Sequence, residues 1–549
     1  MNEPLPPQYY LDNFRFLIHW VNERYADLLA EEELLFIERF NRLAPNSQCL
    51  LVRMLGRKGP WFRATKLIYA EIDNHEFCAN QLNDVNLIEI DPLLSITNLF
   101  NIFTKAELIQ LFSEQLKSHK NARKEILLNI LSDSYPQNQY WSQWTNDQFG
   151  KLYYVDNHAI ISIFLLLFFG NPYQNLTEFV LQDLGLYRYE KYIIDPQHRV
   201  FKNREELAQY QQLLLLREQL ALAEDLNSLE QIVLQLPNTF ASAAMERRRA
   251  RLINQLAYEF ERYKQFDLAM QLYQLIDLPP SRERQIRLLE KRGDHQQAWE
   301  LLSLLIKTPM NEHELQIAER IAPRLAKKIS KPFKKKSPLA LCEKTLILPQ
   351  SADDAGLALS VEEIVRLHLD TREEPCLYVE NTLLNSLFGL WLWPEMFRGI
   401  QGAFANPLQS APLDLYQEDF QKNRPDIQQL WQLFDDQKHA THIQNIWQQK
   451  HGIANHFVSW QFINETTLLM ALRCIPATHL KIIFERLLFD LKTNRSGLPD
   501  LIQFFPKQQF YRMIEVKGPG DRVQDNQQRW LNFFKAHDIP AEVCYVSWQ

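Results

Sequence analysis

Two carboxylates and a lysine near the carboxyl end of the chain have a spacing suited to phosphodiester chemistry. Asp500 follows a proline, and fourteen residues separate it from Glu515, which is followed two positions later by Lys517. Carboxylate oxygens suit Mg²⁺ or Mn²⁺, and such an ion can polarise a phosphate and activate the attacking water. A lysine beside them can orient that water or stabilise the developing charge. The pattern predicts a metal-dependent phosphodiesterase site, with the Val516 carbonyl as a further ligand.

A β-hairpin has to bring these side chains together. Residues 498–504 and 510–516 alternate as strands do, and 506–509 has the composition of a turn. Because side chains alternate along a strand, Glu515 and Lys517 should share one face while Ile514 and Val516 point into a core. Asp500, at the start of the neighbouring strand, can reach the first face.

The segment after the hairpin predicts a turn, a helix and a last strand. Residues 518–520 have turn composition, and residues 521–524 predict a helix cap. An apolar stripe runs along the predicted helix, and the strand covers 541–548. The stripe is formed by Trp530, Leu531 and Phe534, with Gln527 one turn before it.

The hairpin alone has other interpretations. Charged residues flank apolar strands in many proteins, so an amphipathic hairpin with a surface pair of Glu515 and Lys517 fits the same pattern. If the hairpin is only structural in this way, the chain would be a catalytically silent DNA-binding scaffold. A third is a restriction-type or RNA-directed nuclease with the same catalytic hairpin.

Composition bounds the fold class. The 549 residues predict several domains, and only 14 of them are glycine, which favours a predominantly α-helical chain. The net charge of -7 gives no global indication of a nucleic-acid partner. Six cysteines without a C-x-x-C pair predict reduced core thiols and no zinc site. The apolar run 160–169 is too short to cross a bilayer and predicts a buried core segment.

The segment 41–70 has six basic residues and no acidic ones, around a Gly-Pro turn. Aromatic and cationic side chains on a short element can grip phosphates and stack on bases; a solvated basic face with Trp61 in the core is the alternative. The predicted DNA contacts here are Arg53, Arg57, Lys58, Trp61, Arg63 and Lys66. Farther on, Thr104 and Glu107 have the spacing of a capping box that opens an amphipathic helix.

Residues 211–324 have the pattern of short paired helices, with a degenerate spacing similar to tetratricopeptide repeats. A basic cluster over 324–336 contains seven Lys or Arg residues and no acid, and Pro332 interrupts any helix there. The cluster predicts an interdomain linker that either contacts phosphates or is a solvated hinge.

Several stretches resemble one nuclease family. Residues 495–500 (RSGLPD), 515–522 (EVKGPGDR), Gln527 and Trp530 closely resemble the VRR-NUC version of the PD-(D/E)XK nuclease fold. Residues 380–393 resemble the helix of the Fanconi-associated nucleases whose glutamate is an additional metal ligand, and 360–363 and 457–460 match other stretches of that group. Residues 49–63 resemble the SAP-like DNA-binding region of that group, and 211–324 take the place of its tetratricopeptide-like region.

The resemblance implies a multidomain, predominantly α-helical architecture with a C-terminal α/β nuclease domain. The expected division is an N-terminal helical and SAP-like DNA-binding region over 1–120, a helical packing region over 121–210, helical repeats with the basic linker over 211–336, and the VRR-NUC domain over 337–549.

The resemblance also implies roles for individual residues. Glu380, Asp500 and Glu515, with the Val516 carbonyl, would bind two Mg²⁺ or Mn²⁺ ions. Lys517 would be the catalytic lysine, and Gln527 would support the site from the adjoining helix. Lys492, Arg495 and Arg522, which flank the hairpin, are predicted to contact DNA.

The implied activity is incision of DNA near a 5′ flap, with 5′-to-3′ exonuclease activity, in the repair of interstrand cross-links. The expected partner is branched DNA, such as a flap, nicked or cross-linked duplex, and no membrane. No Cys/His spacing predicts the ubiquitin-binding zinc finger of vertebrate members. A bacterial origin would place the protein in the cytoplasm with the nucleoid, and a eukaryotic origin in the nucleus.

Overall fold

A computed structural model describes residues 6–174, 188–333, 340–352 and 357–549. The chain forms two compact units, one made of residues 1–187 with 195–204 and the other of 188–194 with 205–549. The described part is predominantly α-helical, as the low glycine content predicts. Three lysines of the predicted linker, at 334–336, lie outside the described residues.

The first unit is a helical assembly with small sheets. Its helices are α1 (Tyr9–Tyr25), α2 (Glu31–Asn41), α3 (Pro45–Leu55), α4 (His75–Asp84), α5 (Ile96–Ile102), α6 (Lys105–Leu111), α7 (Lys124–Ser132), α8 (Trp141–Thr145) and α9 (His158–Phe169). Its strands are β1 (Trp61–Arg63), β2 (Glu89–Ile90), β3 (Leu93–Leu94), β4 (Gln139–Tyr140) and β5 (Leu152–Tyr154). Strands β1, β5 and β2 form an antiparallel sheet with β5 in the centre.

Two local predictions in this unit are confirmed. Most side chains of α9 are buried, among them Ile161, Phe164 and Leu167, as expected for a core segment over 160–169. Thr104 caps α6, and the Thr104 backbone N–H donates to the Glu107 carboxylate at 2.8 Å, which is the reciprocal bond of a capping box.

A series of paired helices precedes the α/β domain in the second unit. They are α10 (Arg204–Leu222), α11 (Leu226–Leu234), α12 (Ala243–Arg262), α13 (Phe266–Gln274), α14 (Ser281–Arg292), α15 (His295–Lys307) and α16 (Glu312–Lys328). Consecutive helices from α12 to α16 pack against each other, as the repeat pattern predicts. The small residues Ala269 and Ala298 are fully buried where helices approach closely.

The predicted linker begins later than expected. Helix α16 continues through Lys328, so Arg324, Lys327 and Lys328 are helical. The Arg324 guanidinium donates to the Glu290 carboxylate at 2.7 and 3.0 Å, and Lys328 lies 3.4 Å from the same carboxylate. Part of the positive charge expected on the linker is therefore paired inside the repeats.

The amino end of α16 is tied to the segment that precedes the hairpin. The Glu312 carboxylate forms an ion pair with Arg486 at 3.1 Å and accepts a hydrogen bond from the Asn494 side-chain amide at 3.2 Å. The Glu312 backbone N–H donates to Asp490 at 3.1 Å. The Arg486 guanidinium also lies over the rings of Trp530 and Phe533.

The rest of the second unit is an α/β domain. Its helices are α17 (Val361–Leu369), α18 (Leu383–Met396), α19 (Ile427–Asp435), α20 (His439–Lys450), α21 (Glu465–Cys474), α22 (Ala477–Phe489), α23 (Leu491–Asn494) and α24 (Asp525–Ala536). Its strands are β6 (Glu343–Leu348), β7 (Cys376–Tyr378), β8 (Leu501–Phe505), β9 (Phe510–Lys517) and β10 (Ala541–Trp548). The sheet order is β6-β10-β9-β8-β7, parallel from β6 to β9 and antiparallel from β9 to β7.

The predicted hairpin is β8 and β9, which pair from Leu501 with Ile514 to Phe505 with Phe510. Ile514 and Val516 pack against the side of the sheet that α17 covers. Ile502 and Met513, on the opposite side, belong to the larger core that α18, α22 and α24 build. Both faces of the sheet are therefore covered, and charged groups on β9 are buried within it.

Cysteine placement agrees with the prediction at five positions and differs at one. All six described cysteines are free thiols, and Cys342 is exposed while the others are buried. Cys342 directly precedes the edge strand β6, which explains why it is not a core residue.

No single described helix has both the length and the apolar character needed to cross a membrane. Helices α21 and α22 satisfy that test only as a pair, and the pair is bent by 106°. Leu480, Ile483 and Phe484 of this pair lie in the large core of the α/β domain.

Candidate active site

The hairpin brings Asp500, Glu515 and Lys517 together, as predicted. Asp500 lies just before β8, and extending the register by one pair sets it opposite Glu515. The Val516 backbone N–H donates to Asp500 Oδ2 at 2.8 Å, and Lys517 Nζ donates to Glu515 Oε1 at 2.5 Å. The exposed fractions are 6 % for Asp500, 0 % for Glu515 and 8 % for Lys517. The interpretation of a surface Glu–Lys pair is therefore wrong.

Burial and mutual repulsion perturb both carboxyl groups. Burial raises the pKa of Glu515 to about 8, the nearby Asp500 adds to the rise, and Lys517 opposes it. Burial also raises the pKa of Asp500 to about 6, and the Val516 N–H and Lys517 oppose that rise. Glu380 and Glu362 each raise the pKa of Asp500 further. The site therefore gathers more negative charge than Lys517 balances.

Glu380 joins this electrostatic cluster from a turn. The stretch 380–393 does contain a helix, but α18 begins at Leu383, so Glu380 lies ahead of it and is half-buried. The Tyr378 hydroxyl donates to Glu380 Oε2 at 2.6 Å, and Asn381 Nδ2 donates to Glu380 Oε1 at 3.1 Å. Both oxygens of this carboxylate are therefore held in place by hydrogen bonds.

The donor set fits a divalent cation with oxygen ligands. Glu515 Oε2 is buried and has no hydrogen-bond partner among the described residues, which is costly unless a cation or water completes it. A residue in an extended strand points its N–H and C=O to the same edge, so the Val516 carbonyl faces the Asp500 side. Within the described ranges no group of three or more His, Cys, Asp or Glu side chains is close enough to hold a metal ion by itself. Waters and substrate oxygens would supply the remaining ligands, as is usual for Mg²⁺.

The predicted helix cap over 521–524 lies at the start of α24 only through its last residue, and Gln527 takes part in the capping. The helix starts at Asp525 with Gln524 as its N-cap, so residues 521–523 lie outside it. The Gln527 side-chain oxygen accepts the Gln524 backbone N–H at 2.9 Å. The Gln527 side-chain oxygen is thus used to accept a backbone N–H at the start of α24.

Sequence reasoning missed two side chains of the cluster. Glu362 lies on the first turn of α17, and Tyr378 ends β7. Burial raises the pKa of the Tyr378 phenol, and the carboxylates of Glu380, Asp500 and Glu362 raise it further. Residues 360–363 resemble a stretch of the nuclease family, but the distance of Glu362 from Asp500 in the sequence gives no sign that the two carboxylates interact.

The predicted DNA contacts of the first unit divide into two groups. Arg53 pairs with Glu71 and Arg63 with Glu107, both at 2.5 Å, and Trp61 packs against the Tyr154 ring at an interplanar angle of 34°. Those two arginines are therefore neutralised by carboxylates of their own unit. Arg57, Lys58 and Lys66 are exposed.

The predicted contacts beside the hairpin are all exposed. They are Lys492, Arg495 and Arg522. Arg495 donates to the Tyr416 hydroxyl at 2.7 Å and contacts the His456 ring nitrogen.

Comparisons with known proteins match three family models. The VRR-NUC domain matches residues 435–548, the FAN1 HTH domain residues 8–89, and the Fanconi anemia-associated nuclease SAP domain residues 93–144. The SAP-like assignment of residues 49–63 is therefore wrong, because that segment falls within the HTH match. The SAP match instead contains Thr104 and the capping box of α6.

The chain is also similar to complete proteins. It is 39 % identical over 558 residues to a Fanconi-associated nuclease 1 homolog of Pseudomonas aeruginosa, covering 100 % of this chain and 98 % of the relative. Fanconi-associated nuclease 1 of Homo sapiens is 23 % identical over 98 % of this chain and 62 % of its own length. A crystal structure of paFAN1 bound to 2-nucleotide 5′-flap DNA with a gap superposes with a TM-score of 0.78 at 39 % identity, covering 100 % of both chains. A complex with 1-nucleotide 5′-flap DNA gives 0.76 and covers 99 % of this chain and 100 % of paFAN1.

Proposed function

Because the chain belongs to the Fanconi-associated nuclease family, we propose that its hairpin site hydrolyses phosphodiester bonds of branched DNA beside a 5′ flap. The observation that carries the proposal is the buried group of Asp500, Glu515 and Lys517, with an unpartnered Glu515 oxygen. Similar chains with 39 % identity have been solved with 5′-flap DNA, which supports this substrate.

The VRR-NUC domain is of a type that depends on a divalent metal, and we propose Mg²⁺ or Mn²⁺, with two ions as the resemblance implies. The ligands of these ions would be Asp500, Glu515, Glu380 and the Val516 carbonyl. When bound, such an ion supplies Lewis acidity toward the phosphate and lowers the pKa of the attacking water.

The side chains around that site have distinct tasks. Strand β9 fixes Asp500 through the Val516 N–H, so that this carboxylate is preorganised before substrate arrives. Lys517 donates to Glu515 in the free protein. With substrate present, its ammonium can donate instead to the attacking water or to a phosphate oxygen that gains charge, and Gln527 would support the site from α24.

DNA binding would use basic residues of both units. Exposed Arg57, Lys58 and Lys66 are the better candidates in the first unit, because Arg53 and Arg63 are already paired. In the second unit we propose Lys492, Arg495 and Arg522. The four-part division at 120, 210 and 336, the exonuclease activity and the role in cross-link repair stay predictions, as does location with the nucleoid or in the nucleus.

The test is a cleavage assay on an end-labelled 5′-flap duplex with Mn²⁺, Mg²⁺ or EDTA. Wild type is compared with Asp500→Asn, whose side-chain oxygen can still accept the Val516 N–H, and with Lys517→Met. Exposed Asp538→Asn and Lys535→Met serve as matched controls, since both residues lie on the surface of the same domain.

Metal-dependent incision near the junction by wild type and both controls is expected. Both site variants should lose incision while Asp500→Asn still binds the flap duplex. Tight binding by wild type without incision in any metal would instead favour the silent scaffold. Loss of binding together with cleavage in Asp500→Asn would make Asp500 a structural residue.

A further inference from the structure

Asn381 joins two chain segments that supply carboxylates to the site. Its side-chain Nδ2 donates to Glu380 Oε1 at 3.1 Å, and its Oδ1 accepts the Leu498 backbone N–H at 3.2 Å. Leu498 lies two residues before Asp500. One amide side chain therefore connects the Glu380 carboxylate directly to the loop that carries Asp500.

Two further contacts fasten the same turn to the same loop. The Asn385 amide, one helical turn later, donates to the carbonyls of Asn381 and Arg495, both at 2.8 Å. The Val379 backbone N–H donates to the Asp500 carbonyl at 2.8 Å. Asn385 is only 6 % exposed. The loop from 495 to 500 is thus attached to the turn at its start, its middle and its end.

The backbone at Asn381 requires a particular residue. Its φ of +50° is left-handed, a conformation that glycine and asparagine tolerate better than other residues. Glycine would keep this backbone and lose both side-chain bonds. Aspartate would keep an acceptor for the Leu498 N–H but could not donate to Glu380. The asparagine amide alone of these three satisfies both ends.

We propose that Asn381 is a positioning residue that orients the Glu380 carboxylate relative to Asp500 for cleavage. The kinetic part of this inference rests on the proposed function. It does not need Asn381 to touch the substrate. Hydrogen-bonding partners that orient metal-ligating carboxylates typically change metal affinity or activity about 10- to 100-fold when removed.

The experiment compares wild type with Asn381→Gly and Asn381→Asp. The control is Asn146→Gly, because Asn146 is exposed, has a φ of +46° and lies in the other unit. Four quantities are measured: kcat and KM on the 5′-flap duplex in Mn²⁺, Mn²⁺ affinity of the DNA-free protein by electron paramagnetic resonance, and Tm.

Both Asn381 variants should lower kcat about 10- to 100-fold with KM and Tm near wild type. Asn381→Gly should also bind Mn²⁺ about tenfold more weakly, and Asn146→Gly should change none of these. If Asn381 merely supported the loop, the result would differ. Asn381→Asp still accepts the Leu498 N–H, so its kcat would then be within about twofold of wild type.

Recovery of kcat by Asn381→Asp, or unchanged kcat and Mn²⁺ affinity in Asn381→Gly, would overturn the inference. If Asn381→Gly melts at a lower temperature, Asn381→Asp and its kcat decide the question. Failure of wild type to cut any flap would overturn the proposed function instead, and the Mn²⁺ affinities would still test Asn381.

Discussion

The Val516 backbone N–H donates to the Asp500 carboxylate at 2.8 Å across the open end of the hairpin. Strand β9 therefore holds one predicted metal ligand with its main chain, while it presents Glu515 and Lys517 as side chains on the same edge of the site. No other side chain is needed to fix that oxygen. Substitutions of Val516 that preserve the strand should leave Asp500 where it is.

The stability of the metal-free protein should depend on pH through Glu515. Its pKa is raised to about 8 in the folded state, so the folded protein holds this proton more tightly than the unfolded chain. Its favourable contribution is fully present below the ordinary glutamate pKa and is lost as pH rises through about 8. The glutamine of Glu515→Gln does not ionise, so the variant should not lose stability in this way as the pH rises. We expect the Tm of the variant minus that of wild type to increase from pH 5 to pH 9 in EDTA.

The control for this experiment is Glu319→Gln, since Glu319 is exposed on helix α16 and distant from the hairpin in the sequence. Its Tm curve should parallel the wild-type curve. Adding Mn²⁺ should raise the wild-type Tm at high pH more than that of Glu515→Gln, because a ligand stabilises only the form that binds it. A Glu515→Gln curve parallel to wild type across the whole pH range would contradict the raised pKa.

The basic residues of the first unit should separate into DNA-binding and structural groups. Replacing Arg57, Lys58 and Lys66 with alanine should weaken flap-duplex binding and reduce the salt slope by about 0.9 for each phosphate that is no longer neutralised. Replacing Arg53 and Arg63 should chiefly lower Tm, because the half-buried carboxylates of Glu71 and Glu107 would lose the cations that balance their charge. The measurement is the equilibrium Kd at several salt concentrations, paired with thermal melts. A salt slope that changes only in the second set would reverse the assignment.

Gly497→Ala should destabilise the protein and disturb the Asp500 loop. Gly497 has a φ of +86°, and an added Cβ would lie 2.8 Å from the Asn526 backbone carbon. The left-handed backbone costs roughly 1–2 kcal/mol for alanine, and the clash should add about 1–3 kcal/mol. Denaturant unfolding gives the free energy, and cleavage reports the effect on the loop.

Gly293→Ala is the matched control for that substitution. Gly293 has a φ of +89° and nothing within 4 Å of an added Cβ, so it reports the backbone cost alone. Equal losses of stability in the two variants would mean that the approach to Asn526 relaxes freely and does not constrain the loop.

Local patterns made the hairpin and the capping box predictable. Alternation over β8 and β9 depends on neighbouring residues, and Thr104 with Glu107 needs only a spacing of three. The burial of Glu515 was harder to foresee, because the core on its side of the sheet includes helix α18, which comes from a remote part of the chain.

Non-local pairing accounts for most of the differences. Arg53 finds its partner 18 residues away and Arg63 finds its partner 44 residues away, so a basic run in the sequence became two internal ion pairs. Glu380 left the expected helix because Asn381 adopts a left-handed turn that delays α18 until Leu383. The ion pairs have no signal in the residues immediately around them, and an asparagine at 381 is compatible with a left-handed turn without requiring one.

The ion pair between Glu312 and Arg486 bears on the design of a shorter fragment of the chain. A truncated protein starting at residue 337 would lose Glu312 and leave Arg486 largely buried beneath Trp530 and Phe533 without a carboxylate. Breaking such a pair costs about 3–5 kcal/mol, which is a large share of the stability of a typical domain. An isolated nuclease fragment should therefore include helix α16, so the portable catalytic module is longer than the fold that carries the chemistry.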